Sequence, residues 1–138
     1  MARILGLDIG DKRIGVALSD PAGIVARPLT IIDSRGDKQT VEAIIRIVEQ
    51  NQVGQIVVGL PLAMDGGVGQ QAGKVKAFVA ELSAWTKIPI EFRDERLTTV
   101  AARDLMRETR NKKDRQKEMD DAIAAAFILQ GYLDESHS

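Results

Sequence analysis

Arg3-Ile4-Leu5-Gly6-Leu7-Asp8-Ile9-Gly10-Asp11-Lys12-Arg13-Ile14-Gly15-Val16-Ala17-Leu18-Ser19 is the stretch that decides the fold. Its two apolar runs, 3–10 and 14–19, read as strands, and Gly10 to Arg13 reads as a tight turn between them. The chain therefore opens with an antiparallel hairpin. A third short strand over 25–32 extends the hairpin into a meander, with Pro28 marking an edge position because proline has no N–H to donate.

Downstream the period changes. Val41, Ile44, Ile45 and Val48 recur at helical spacing, which predicts a helix over 37–50 with Asp37 as its cap. The compact apolar run 55–60, ended by Pro61, predicts a buried interior strand. Val75, Phe78, Val79, Leu82 and Trp85 mark a second helix, and Ile88, Ile90 and Phe92 alternate as a fifth strand. Thr98 is placed to cap a helix running to about residue 108, and a last helix spans about 115–133. This order predicts an α/β fold with one mixed five-stranded sheet covered by helices, its first three strands forming an antiparallel meander. There is no internal repeat or low-complexity tract, so residues 1–138 read as a single domain with a polar tail at about 134–138.

Composition narrows the chemistry. With 44% hydrophobic but only 4% aromatic residues, the core must come from Ile, Val, Leu and Ala. The absence of cysteine excludes disulfides, thiolate zinc sites and cysteine nucleophiles. The only histidine, His137, lies in the polar tail, which leaves imidazole catalysis without support. No apolar run approaches the roughly 18 residues of a membrane span, and the N-terminus lacks the apolar segment of a signal peptide. The expectation is a cytoplasmic protein with no membrane association. The net charge of −1 does not advertise nucleic acid, yet seven basic and three acidic residues between Arg103 and Lys117 give that window a net charge of +4. Arg110, Lys112, Lys113 and Arg115 belong to this arm, which reads equally as a solvated loop or as a phosphate contact.

Three acids stand at element ends. Asp8 interrupts a strand of Ile, Leu and Gly, where a carboxylate needs a compensating partner. Glu95 follows the fifth strand, at the kind of carboxyl end where α/β sheets place ligands. Asp121 shares a face of the last helix with Ala125, Ile128 and Tyr132, whereas Asp120 is rotated by about 100° towards the border. Taken singly, each has a structural explanation: a turn contact for Asp8, pairing with Arg93 and Arg96 for Glu95, a favourable acid near a helix N-terminus for Asp121. If the first strand is central and the last helix packs over it, the three converge. A carboxylate-only cluster suits Mg²⁺ or Mn²⁺ and metal-assisted hydrolysis of a phosphodiester. Lys12 and Arg13 reach phosphates beside Asp8 on this reading, or form a plain exposed hairpin tip on the other. Residues 59–67 lack the spacing and lysine of a P-loop, and Asp65-Gly66 there is a turn signal first and a nucleic-acid contact second.

The stretch from Asp8 to Gly15 resembles the phosphate-binding hairpin of actin and sugar-kinase ATPases, but those enclose nucleotide between two domains and this chain is too short for that. A wider resemblance covers residues 4–133. Gly6-Leu7-Asp8-Ile9-Gly10 with Lys12-Arg13-Ile14-Gly15-Val16-Ala17 and Ser19-Asp20 resembles the opening of the bacterial YqgF/RuvX family. Val57-Val58-Gly59-Leu60-Pro61-Leu62 with Met64-Asp65-Gly66 is similar to its central motif, and Asp94-Glu95-Arg96-Leu97-Thr98-Thr99 to a third. Asp121 with Ala125 and Ile128-Leu129-Gln130-Gly131-Tyr132-Leu133 is similar to a fourth.

The resemblance implies a ribonuclease H-like fold, with an acidic site on Asp8, Glu95 and Asp121 and nucleic-acid contacts that take in Arg96, Thr98 and Thr99. It implies a nuclease that processes the 5′ end of pre-16S ribosomal RNA, with Holliday-junction resolution as the alternative. A noncatalytic RNA-binding factor is the third reading, disfavoured because it leaves three separately placed carboxylates without work. No heptad or long apolar patch demands a dimer, so the expectation is a monomer or weak homodimer acting on a ribosomal RNA precursor.

Overall fold

The computed structural model describes residues 2–61, 69–94 and 115–136, the first six of the last group only as the course of a helix. The elements are β1 (Arg3–Ile9), β2 (Arg13–Ser19), β3 (Ala26–Asp33), α1 (Asp37–Gln50), β4 (Val53–Leu60), α2 (Gln70–Ser83), β5 (Ile90–Asp94) and α3 (Arg115–Ser136). The five strands form one mixed sheet in the order β3-β2-β1-β4-β5. β1, β2 and β3 make the expected antiparallel meander, while β4 runs parallel to β1 and β5 parallel to β4. This is the ribonuclease H-like arrangement. β1 is central, and the carboxyl ends of β1, β4 and β5 share one edge of the sheet.

Alternation along the strands divides the sheet into two unlike faces. Leu5 and Leu7 of β1, Ile14, Val16 and Leu18 of β2, and Ile56 and Val58 of β4 point one way. They meet Val41, Ile44 and Val48 of α1 and Val75, Phe78, Val79 and Leu82 of α2 in the main core. Each such side chain contributes about 1.5–3 kcal/mol when fully buried, so most of the fold's apolar stabilisation gathers here. The opposite face carries Ile4, Gly6 and Asp8, then Arg13, Gly15 and Ala17, then Gln55 and Val57. It is covered by α3 through Ala125, Ile128, Leu129 and Leu133.

Pro28 does lie on an edge strand, and the β2–β3 register shifts beside it, between Val16 and Ala17. Some local expectations are corrected. Gly36, with φ 102°, takes the cap position of α1 and leaves Asp37 in the first turn. Trp85 does not belong to the α2 core stripe: the helix ends at Ser83 and the indole is 54% exposed. Ile88 precedes β5 but still packs against the main core, whereas Phe92 is exposed because β5 is the other edge strand, with a neighbour on one side only. The predicted helix from Thr98 lies outside the described residues.

Candidate nuclease site

The site is built on a glycine. Asp8 pairs directly across the β1–β2 ladder with Gly15, so the two residues point to the same face. A Cβ at Gly15 would run into the carbonyl of Asp121 and stand 2.9 Å from Ala122 N. Only a residue without a side chain lets α3 come this close, and the contact seats Asp121 over β2, one strand from Asp8. Further along, a Cβ at Gly6 would lie 2.8 Å from Leu129 Cβ and 3.1 Å from Ala125 O, so β1 itself carries a second close approach. Two acids from opposite ends of the chain thus stand at neighbouring strands of one sheet face, Asp8 on β1 and the backbone of Asp121 against β2.

Asp8 is half-buried, not fully desolvated, because it sits one residue from the end of β1. Asp121 is likewise half-buried. The buried stripe of α3 runs through Ala122, Ala125, Leu129 and Leu133, which puts Asp121 at its margin, facing the hairpin. There Arg13, on the same face of β2 as Gly15, holds its Nε 3.3 Å from Asp121 Oδ2. Gly10 N donates to Arg13 O at 2.9 Å and closes the hairpin turn. Lys12 is exposed at the tip, and the neighbouring Asp11 pairs with Lys74 of α2 at 3.6 Å.

Arg93 forms the second buttress. It pairs in register with Gly59 near the carboxyl end of β5, and its side chain is 8% exposed. Its Nη1 meets Glu135 Oε2 at 2.6 Å, and a Cβ at Gly131 would stand 2.6 Å from its Nη2. The strand that leads to Glu95 is thereby tied to the last turns of α3, and Gln55 Nε2 adds a hydrogen bond of 2.7 Å to Tyr132 Oη. Sequence reading missed Gly15, Arg93 and Glu135 as parts of this frame. A glycine inside a strand does signal close backbone approach, so Gly15 was open to notice.

Glu95, Asp65, Arg96, Thr98, Thr99, Arg110, Lys112 and Lys113 lie outside the described residues, and the side chains of Arg115 and Asp120 do as well. Among the described residues no group of three or more His, Cys, Asp or Glu gathers closely enough to hold a metal ion. Asp8 and Asp121 are the two acids of the expected trio that are described. Among the described residues no helix is long and apolar enough to cross a membrane.

Over residues 2–135 the chain matches the family model described as RuvX: Holliday junction resolvase. A relative from Moorella thermoacetica named "Putative pre-16S rRNA nuclease" is 47% identical over 132 residues, covering 96% of this chain and 94% of that protein. A relative of the same name from Roseiflexus is 46% identical, with the same coverage of both chains. Among solved structures, T. thermophilus RuvC in complex with Holliday junction substrate superposes with a TM-score of 0.59 at 15% identity, covering 100% of this chain and 97% of that one. The Fowlpox virus resolvase in complex with Holliday junction DNA gives 0.61 at 13% identity, covering 99% of both chains. At such identities the two structures speak for the shared fold.

Proposed function

This chain belongs to the RuvX family, and from that premise we propose that it is a divalent-metal-dependent endonuclease that processes the 5′ end of pre-16S ribosomal RNA in the cytoplasm. The observation that carries the site is the seat of Asp121 on Gly15, where a missing Cβ lets a helix set its backbone against β2, one strand from Asp8. Asp8, Asp121 and Glu95 are the residues that would hold Mg²⁺ or Mn²⁺. The donors are hard oxygens, the chain has no cysteine, and its one histidine is in the tail, all of which fits these ions. When bound, such a cation supplies Lewis acidity that activates water and offsets charge on the leaving oxygen.

The protein's own groups do the rest. Asp8 and Asp121 supply fixed negative charge at the sheet edge, held there by β1 and by the close seating of α3. Lys12 and Arg13 at the hairpin offer positive charge to the phosphates on either side of the scissile bond. Arg96, Thr98, Thr99, Asp65 and the basic arm of Arg110, Lys112, Lys113 and Arg115 extend that contact along the strand, fixing register without reading bases. The protein acts as a monomer or a weak homodimer. A second reading, cleavage of four-way DNA junctions, is favoured by the description of the family model.

A cleavage assay offering precursor ribosomal RNA and a four-way DNA junction side by side, with Mn²⁺, tests both. We expect cleavage of the RNA and a loss of at least about a hundredfold in Asp8→Asn, since metal-centred charge stabilisation contributes several kcal/mol to a barrier. Circular dichroism should show the variant folded. Junction cleavage with intact RNA would move the substrate to the second reading. Undiminished cleavage by Asp8→Asn would remove the acidic site altogether.

A further inference from the structure

An ion pair ties the β1–β2 hairpin to α3, and one of its partners is a carboxylate to which the proposed function gives another task. Arg13 Nε lies 3.3 Å from Asp121 Oδ2, with 36% and 35% of the two side chains exposed. Both backbones are fixed. Arg13 is paired in the sheet with Asp33, and its carbonyl closes the hairpin turn at Gly10, while the backbone of Asp121 rests on Gly15. The Arg13 side chain between them is about one-third exposed, and its guanidinium rides on a flexible stem that can change partners without disturbing the elements that carry it.

A guanidinium and a divalent cation make opposing claims on one carboxylate oxygen. The first donates hydrogen bonds into the lone pairs that the second needs, and two positive charges a few Å apart repel. Resting on the reading of Asp121 as a cation-holding residue, we propose that Arg13 and the divalent cation compete for the Asp121 carboxylate, so that cation binding releases the guanidinium to a substrate phosphate. The planar fork of arginine fits phosphate oxygens as well as it fits a carboxylate. Arg13 is then a positioning residue with two stations. Without cation it balances the charge of Asp121 and is withheld from nucleic acid; with cation it turns to the phosphate. The coupling is reciprocal, since whatever draws Arg13 off Asp121 strengthens cation binding by the same factor.

Isothermal titration calorimetry with Mn²⁺ alone, at fixed pH and salt, on wild type, Arg13→Gln, Arg13→Lys and Asp8→Asn tests this without recourse to activity. Arg13→Gln is expected to bind Mn²⁺ about two- to fivefold more tightly, the worth of a partly exposed ion pair, and Arg13→Lys to fall between it and wild type. A merely structural arginine gives unchanged or weaker binding on removal, and either result overturns the proposal. Should Arg13→Gln fail to fold, judged by thermal unfolding, Arg13→Lys carries the same expectation of tighter binding and the same refutation. Asp8→Asn separates two failures. If it binds Mn²⁺ as wild type does, the carboxylate site itself is wrong; if it loses Mn²⁺ while Arg13→Gln matches wild type, only the competition is wrong.

Discussion

The two faces of one sheet are built from opposite materials. Against α1 and α2 the sheet presents Leu5, Leu7, Ile14, Val16, Ile56 and Val58, large aliphatic side chains that are fully buried or nearly so. Against α3 it presents Gly6, Gly15 and Ala17 with Asp8 and Arg13 among only a few larger residues, Ile4, Gln55 and Val57, and the helix answers with a smaller cluster of Ala125, Ile128, Leu129 and Leu133. The same strands supply both, by alternation alone. One face maximises apolar area; the other keeps side chains small at Gly6 and Gly15 so that backbone approaches backbone there and charges stand at the margin. Apolar burial is concentrated on the first, and Asp8 and Asp121 stand on the second.

That division is open to test by substitutions placed on one face at a time. Gly15→Val should be the most damaging. Its side chain collides with the Asp121 carbonyl, which a backbone cannot yield cheaply, so we expect a loss of about 3 kcal/mol or more in denaturant unfolding. Mn²⁺ binding should go with it, because α3 is lifted from β2. Leu7→Ala, fully buried on the other face and one residue from Asp8, should cost about 2–5 kcal/mol by the same measurement. Its Mn²⁺ affinity should nevertheless stay at the wild-type value. If Leu7→Ala loses the ion while still folded, the two faces are not separable and the comparison breaks.

The smallest effect belongs to the β2–β3 turn. Backbone N–H groups of Val25 and Ile24 donate to Asp20 Oδ1, at 3.1 and 2.7 Å, and hold its carboxyl below the usual aspartate range. A carboxyl depressed in the folded state adds stability above its unfolded value, and that contribution disappears as pH falls through the folded one. Thermal unfolding between about pH 5 and pH 3 should therefore show wild type losing stability more steeply than Asp20→Asn. The carboxyl is open to solvent, so the difference should be a small shift in Tm. Parallel curves would show that the turn does not depend on that charge.

The sequence was informative where structure is local. Alternation gave the meander, the proline gave the edge of the sheet, and a bounded apolar run gave the interior strand β4. The close packing of the last helix was also legible, because its alanine spacing pointed to a face that includes the buried Ala125 and Ile128. What remained hidden depends on where that helix lies. The buried stripe runs through Ala122 and Leu129 instead of through Asp121 and Ile128 alone, a rotation too fine to read from a helix so rich in alanine. The Arg13–Asp121 and Arg93–Glu135 pairs join distant parts of the chain, and nothing in the local pattern distinguishes those arginines from solvated ones. Trp85 continues the apolar spacing of α2 beyond Ser83, where the helix has already ended, so spacing alone does not place it.

Gln130, on the flank of α3, has a consequence of another kind. Its Oε1 accepts from Ala26 N at 2.9 Å and its Nε2 donates to Ile24 O at 2.9 Å. A side-chain amide thus occupies the donor and acceptor that an incoming strand's peptide group would take at the start of β3. Two residues on, Pro28 offers no N–H at all. Open sheet edges recruit other chains into stacked, insoluble assemblies, and cells select against them. Here an edge that the fold leaves uncovered is plugged at its first residues from within, so the protein's solubility is guarded by the same helix that carries Asp121.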